Sequence, residues 1–136
     1  MKGLYDDLVA AAIAALKNAY CGASSTRFGA AVLTESGNIY SSGQYFSETY
    51  TLTLHAEQAA LAHAAAHGEH KITAIACVST EDSDKEKYCH PCGVCKQLIY
   101  ESYRKGGATI KVIMANLKGE YEIKDINEII SHPWPY

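Results

Sequence analysis

Three side chains of the kinds that bind zinc, and one carboxylate, lie in two short segments of this chain. His55 and Glu57 are separated by one alanine, and the second segment, residues 91–95, reads Pro-Cys-Gly-Val-Cys. Zinc accepts imidazole nitrogen and thiolate sulfur, and a catalytic zinc site keeps three protein ligands and leaves a fourth position to water. His55, Cys92 and Cys95 therefore predict one catalytic Zn²⁺, with Glu57 close enough to move protons at the water.

Both segments suit the start of a helix. Cys92 and Cys95 are three residues apart and would share one helix face, and Pro91 is favoured at a first helical position. The positive end of the helix dipole favours thiolate over thiol there. His55 and Glu57, two residues apart, would point to nearly opposite sides of a regular helix. We therefore predict that this pair lies at a helix edge, where the backbone is not yet regular.

The residues before Cys92 keep a second interpretation open. Cys89 or His90 could supply a fourth protein ligand, which would exclude the water and leave a non-catalytic, zinc-stabilised binding module. His63 and His67 are also four residues apart, a spacing that can hold metal. They have no third ligand nearby in the sequence, which favours ordinary surface histidines.

Length and composition indicate one domain over residues 1–136. Hydrophobic residues make up 48% of the chain, charged residues 20%, and the formal net charge is −3, as in a globular protein. No basic stripe for nucleic acid and no apolar run for a membrane span is visible. The first residues do not form a secretory signal. Five cysteines, two of them at metal spacing, favour ligand chemistry over disulfides and predict a cytoplasmic protein.

Apolar periodicity and turn residues predict strands that alternate with helices. Helices are expected over about residues 4–20, 55–67, 92–104 and 125–130; strands are expected over 28–33, from 39, over 72–78 and over 109–114, with a short segment near 121–123 and a charged surface loop over 81–87. This order predicts a three-layer α/β domain with a mixed sheet.

The two motifs and this order of elements resemble the cytidine deaminase superfamily over nearly the whole chain. H-x-E followed by P-C-x-x-C is the signature of zinc deaminases that act on cytosine or adenine. The resemblance implies an α/β/α sandwich with a five-stranded mixed sheet, and hydrolytic removal of the exocyclic amine from a cytosine-type nucleoside or related aminopyrimidine. It also implies a homotetramer, although His55 is more typical of larger dimeric members, and Lys96 stands where small members often carry arginine.

The resemblance further assigns substrate-binding residues, some of which depart from the family pattern. The N-x-E pair that holds the ribose hydroxyls falls on Gln44 and Phe46, so the carboxylate is lost. Phe28 lies in the stretch whose aromatic residue borders the pyrimidine, and Trp134 aligns with a phenylalanine that reaches a neighbouring subunit's site. Apart from the resemblance, the deamination chemistry calls for a neighbouring backbone group, at Ala56 or Cys92, that orients the amine or the zinc-bound hydroxide. Blasticidin S deaminases also lack the ribose carboxylate, so a modified nucleoside or heterocycle is the alternative substrate.

Overall fold

The elements follow in the predicted order, and the computed structural model describes residues 3–22, 25–80 and 87–135. They are α1 (Asp6–Ala15), a 3-10 turn (Leu16–Asn18), β1 (Phe28–Thr34), β2 (Ile39–Gly43), a second 3-10 turn (Tyr50–Leu52), α2 (Ala56–Ala66), β3 (Ile72–Ser79), α3 (Gly93–Gly106), β4 (Lys111–Ala115), β5 (Tyr121–Asp125) and α4 (Ile126–Ile129). Residues 81–86 of the predicted charged loop lie outside the described residues.

The five strands form one mixed sheet in the order β2-β1-β3-β4-β5. β1 pairs antiparallel with β2 and with β3, β3 pairs parallel with β4, and β4 pairs antiparallel with β5. Parallel neighbours require a crossover connection, and the segment that contains α3 makes it between β3 and β4. The predicted five-stranded mixed sheet is confirmed.

Helices cover both faces of this sheet, which confirms the three-layer prediction. Successive residues of a strand point to opposite faces. In β1, Ala31 packs with the helix α1, whereas Ala30 and Val32 pack on the face covered by α2, α3 and α4. β3, at the centre, is buried at nearly every position, as expected for a strand with helices on both sides.

A close approach between α1 and β1 depends on Gly29. A Cβ atom at this position would lie 2.2 Å from the carbonyl oxygen of Ala12. The helix can therefore rest directly on the strand whose first residue, Phe28, faces the site described below.

The first helix is shorter than predicted. It ends at Ala15 and gives way to the 3-10 turn, because the chain then pairs with the segment after β2. The N–H of Tyr20 donates to the carbonyl of Gln44, and the N–H of Phe46 donates to the carbonyl of Tyr20. No helix in the described ranges combines the length and the apolar character needed to cross a membrane.

Candidate metal centre

The predicted ligands lie at the starts of two helices. His55 immediately precedes α2 and Cys92 immediately precedes α3, and both have extended backbone, with φ/ψ of −70°/153° and −71°/173°. Because His55 does not follow the helical spiral, it can face the same cavity as Glu57, and both residues line it. The structure agrees with the expectation that the pair lies at a helix edge.

The three predicted ligands come together although they are far apart in the sequence. Nδ1 of His55 lies 3.3 Å from Sγ of Cys92 and 3.3 Å from Sγ of Cys95. All three ligand atoms lie within 4.8 Å of one another, and Cys89 and His90 do not join this group in the described part of the chain. One imidazole and two thiols suit zinc with a fourth position for water. The closed, four-ligand alternative therefore has no support in this geometry.

Because Glu57 and Cys95 are buried, their negatively charged forms are energetically unfavourable. Glu57 is 7% exposed, and burial raises the pKa of its carboxyl group. Burial also raises the pKa of the Cys95 thiol, and the nearby Glu57 and Cys92 act in the same direction. The helix start alone therefore does not produce the thiolate expected from the sequence. A bound metal ion deprotonates a coordinating thiol outright, so this donor set fits a zinc ion.

A cavity of about 470 Å³ opens onto the metal centre. Its lining consists of Phe28, Gln44, Phe46, Tyr50, Thr53, His55, Ala56, Glu57, Cys89, His90 and Cys92. It therefore includes four of the five residues predicted from the sequence to bind substrate. Thr53 was not singled out in the sequence, and its only available signal was its place two residues before His55.

Trp134, the fifth predicted substrate residue, does not line the cavity of its own chain. Its side chain is 69% exposed, and its carbonyl oxygen accepts a hydrogen bond from the side chain of Gln97 on α3. Any contact of Trp134 with substrate would thus have to be in a neighbouring subunit.

Gln44 lines the cavity, but its amide binds the protein's own backbone. Its Oε1 accepts from the N–H of Phe28 at 2.7 Å, and its Nε2 donates to the carbonyl of Thr26 at 2.8 Å. Gln44 thereby ties the end of β2 to the start of β1. Its predicted contact with a sugar would have to use the one acceptor and the one donor position that these two bonds leave.

The second histidine pair stands apart from this centre. His63, on α2, and His67, which directly follows α2, are exposed. Their rings pack around Tyr40, with centroid distances of 5.2 and 4.9 Å. Nδ1 of His63 lies 2.9 Å from the carbonyl oxygen of Ser41. These contacts agree with the interpretation as surface histidines.

Comparison with known proteins then decides the family. The family model for the cytidine and deoxycytidylate deaminase zinc-binding region matches residues 4–110. The chain belongs to this deaminase family. It is 32% identical over 123 residues to a cytidine deaminase of Halalkalibacterium halodurans, covering 90% of this chain and 88% of that relative. A cytidine deaminase of Sporosarcina psychrophila is 31% identical over 125 residues, covering 92% and 87%.

Solved structures of the deaminase family share the fold. The crystal structure of cytidine deaminase from Burkholderia pseudomallei superposes with a TM-score of 0.83 at 28% identity, covering 97% of this chain and 100% of that one. The cytidine deaminase from Mycobacterium leprae gives a TM-score of 0.76 at 25% identity, covering 96% and 100%. The fold class and the family inferred from the motifs are both confirmed.

Proposed function

We propose that this protein is a zinc-dependent hydrolytic deaminase. It removes the exocyclic amine of a cytosine-type nucleoside or related aminopyrimidine and releases ammonia. The observation that carries the proposal is the three-ligand group of His55, Cys92 and Cys95 at the cavity that Glu57 also lines. The names of the curated relatives, both cytidine deaminases, support the same reaction.

Glu57 is the proton carrier in this proposal. His55, Cys92 and Cys95 would hold the zinc, which when bound lowers the pKa of a coordinated water to about 7. Glu57 accepts one proton from the attacking water and delivers it to the ring nitrogen. It then takes the second proton from the hydroxyl now bound to the ring carbon and delivers it to the departing amine, while the carbon–nitrogen bond breaks and the carbonyl forms. The balance is one water consumed and one ammonia released. Because burial already raises the pKa of Glu57, the carboxyl group is suited to holding a proton between these steps.

The cavity favours a small, uncharged substrate. Its volume of about 470 Å³ is within the range of small-molecule sites, and no lysine or arginine is among the described residues that line it. Arg27 lies near the start of β1, but its guanidinium donates to the carbonyls of Leu16 and Ala19. Polynucleotides and nucleotides need cations for their phosphates, so we expect neither to be the substrate.

We also propose that the protein is a homotetramer, with a dimer as the alternative. On α2, Ala62, Ala65 and Ala66 are exposed, and side chains this small let a second helix approach closely. An aromatic pair near the site is exposed too: the rings of Tyr20 and Tyr45 lie 4.9 Å apart. Trp134, exposed at the other end of the chain, could then reach a neighbour's cavity.

A cytoplasmic location is a further part of the proposal. All five cysteines are free thiols, although Cys77 and Cys89 are close enough for Sγ of Cys77 to lie 3.4 Å from the carbonyl oxygen of Cys89. Free thiols and a thiol-based metal centre suit a reducing compartment. A tagged full-length chain should then accumulate in the cytoplasmic fraction, and enrichment outside it would contradict this assignment.

An ammonia-release screen tests the reaction. The zinc-loaded protein is assayed with cytidine, deoxycytidine, cytosine, blasticidin S and aminopurines, beside zinc-loaded Glu57→Gln as the matched control. We expect release from at least one cytosine-type compound and almost none from the control. No release from any of the compounds by protein with a full zinc content would overturn the proposal.

A further inference from the structure

We infer that the mouth of the cavity binds an apolar or planar substituent rather than a ribose. The preferred substrate would then be a cytosine-type ring whose N1 substituent lacks hydroxyl groups. This inference rests on the proposed deaminase function and specifies the substrate class for the same site. Three features of the described lining carry it: an aromatic wall, polar side chains that already bond to the protein backbone, and the positions of Glu57 and Glu48.

The aromatic wall consists of Phe46 and Tyr50. Their rings meet edge to face, with centroids 5.8 Å apart and planes at 76°. Tyr50 is 78% exposed, which places this pair at the mouth, whereas Glu57 is buried beside the metal ligands. A flat apolar ring of a substrate can pack against the Phe46–Tyr50 pair in the stacked or edge-to-face geometries that aromatic rings prefer.

Gly22 holds the Phe46 ring in this wall. A Cβ atom on Gly22 would lie 2.3 Å from Cδ1 of Phe46, so the ring rests directly on the glycine backbone. Gly22 also has φ of +57°, a conformation that favours glycine. The N–H of Phe46 donates to the carbonyl of Tyr20. Phe46 is thus fixed by its backbone and by its side chain.

The polar side chains on this side of the cavity are already bound. Both amide atoms of Gln44 bond to backbone groups near the start of β1. Oγ1 of Thr53 accepts from the N–H of Ser47 at 2.9 Å and lies 3.3 Å from the Ser47 carbonyl oxygen. The backbone therefore holds these side chains in place, and Gln44 keeps one further donor and one further acceptor position for a ribose hydroxyl.

Carboxylates are the usual acceptors for sugar hydroxyls, and among the described residues that line the cavity Glu57 is the one carboxylate. Glu57 is buried and occupied with proton transfer. Glu48 is exposed and lines an adjacent depression with Tyr20, Gly22, Phe46 and Tyr50, not the cavity itself. Of the described polar side chains that line the cavity, His90, the hydroxyl of Tyr50 and the remaining amide positions of Gln44 are the groups that could meet a hydroxyl.

The consequence is a substrate preference of moderate size. A site built to bind a hydroxyl rejects the analogue that lacks it by a factor of about 10⁴ or more, whereas an apolar pocket rejects an added hydroxyl by only about 100-fold. We therefore expect 1-benzylcytosine to exceed cytidine in kcat/KM by about 10- to 100-fold. We also expect 2′,3′-dideoxycytidine to be at least as good a substrate as cytidine.

The experiment compares zinc-loaded wild type with Phe46→Glu, Glu48→Gln and His90→Ala, using cytidine, 2′,3′-dideoxycytidine and 1-benzylcytosine. Phe46→Glu should lower the benzyl-to-cytidine ratio, and Glu48→Gln, the matched control on the adjacent depression, should leave it unchanged. A preference for cytidine over dideoxycytidine of tenfold or more would overturn the inference. Selective loss of cytidine turnover in His90→Ala would also overturn it, by assigning the ribose contact to His90.

A binding measurement distinguishes failure of this inference from failure of the proposed function. Calorimetry on zinc-loaded Glu57→Gln compares 1-benzylcytosine with cytidine without any turnover. Tighter binding of 1-benzylcytosine supports the inference even if the wild type releases no ammonia, a result that would count against the deaminase assignment alone. Equal or weaker binding of 1-benzylcytosine overturns the inference whatever the turnover.

Discussion

The backbone N–H of His55 donates a hydrogen bond to Oε1 of Gln58, with 2.8 Å between nitrogen and oxygen. Gln58 is the third residue of α2, so its side chain reaches back to the residue that precedes the helix, as in a capping box. The bond holds the backbone of His55, a proposed metal ligand, in the extended conformation that separates it from the helical spiral.

Replacing Gln58 should therefore disturb both the helix start and the metal. Gln58→Ala removes the acceptor, and we expect a loss of about 1 kcal/mol in the free energy of unfolding, together with weaker zinc binding. Gln58→Glu keeps an acceptor and should retain most of both. Urea unfolding and competition with a chelator measure the two effects. Equal losses in the alanine and glutamate variants would contradict this role for the side chain.

Zinc content tests the ligand assignment. We expect one zinc per chain in the wild type and a large loss in Cys92→Ala, since removing one of three ligands leaves an incomplete set. Metal analysis of the purified proteins gives the result directly. His63→Ala, at the exposed histidine pair, is the control and should keep its zinc. A double variant, His55→Ala with Cys92→Ala, that retained full zinc would refute the assignment.

Glu57→Gln tests the proton carrier. The substitution is nearly isosteric, so zinc content and the thermal midpoint should stay close to those of the wild type. Turnover should fall by about 100- to 10,000-fold, the usual contribution of a general acid–base group. Steady-state kinetics on the best substrate of the ammonia screen measures it. Near-normal turnover by the zinc-loaded variant is the outcome that would reject the role.

Gln44 should contribute to the stability of the fold as well as line the cavity. Gln44→Leu removes the hydrogen bonds to the N–H of Phe28 and the carbonyl of Thr26, and unpaired buried groups cost about 1–3 kcal/mol each. We expect a fall of that size in the free energy of unfolding, measured in urea. Gln44→Glu keeps the acceptor for Phe28 and should lose less. A fully stable leucine variant would mean that these bonds add nothing to the fold.

Light scattering tests assembly. The full chain at micromolar concentration should have the mass of four chains, and Ala65→Arg, on the exposed alanine face of α2, should lower it. Ala10→Arg adds the same side chain at an exposed position of α1 and should leave the mass unchanged. A monomeric wild type, or equal effects of the two arginines, would contradict an interface on this face.

The sequence predicted the fold well where local signals agree with the tertiary structure. The alternation of strands and helices and the helix starts at His55 and Cys92 follow from propensity and capping. The first helix is shorter than its periodicity suggests, because Tyr20 pairs with residues 44 and 46. Such pairing between distant segments leaves no periodic pattern.

The metal centre was predictable because zinc restricts its ligands to a few residue types at fixed spacings. The contacts at the mouth of the cavity were harder to predict from the sequence. Gln44 reads as a free amide in the sequence, and only the fold shows that the start of β1 uses both of its polar atoms. The ring of Phe46 packs directly on Gly22, and no sequence motif links these two residues.

The proposed zinc ligands lie at the starts of two different helices, so zinc binding should support the stability of the protein as well as its activity. His55 belongs to the part of the chain that packs on β1 and β2, and Cys95, 40 residues later, belongs to the helix that packs beside α4. A zinc ion held between them is also a cross-link, and its binding energy adds to the free energy of folding. We therefore expect a cell short of zinc to contain several-fold less of the protein, since small losses of stability lower abundance to that extent.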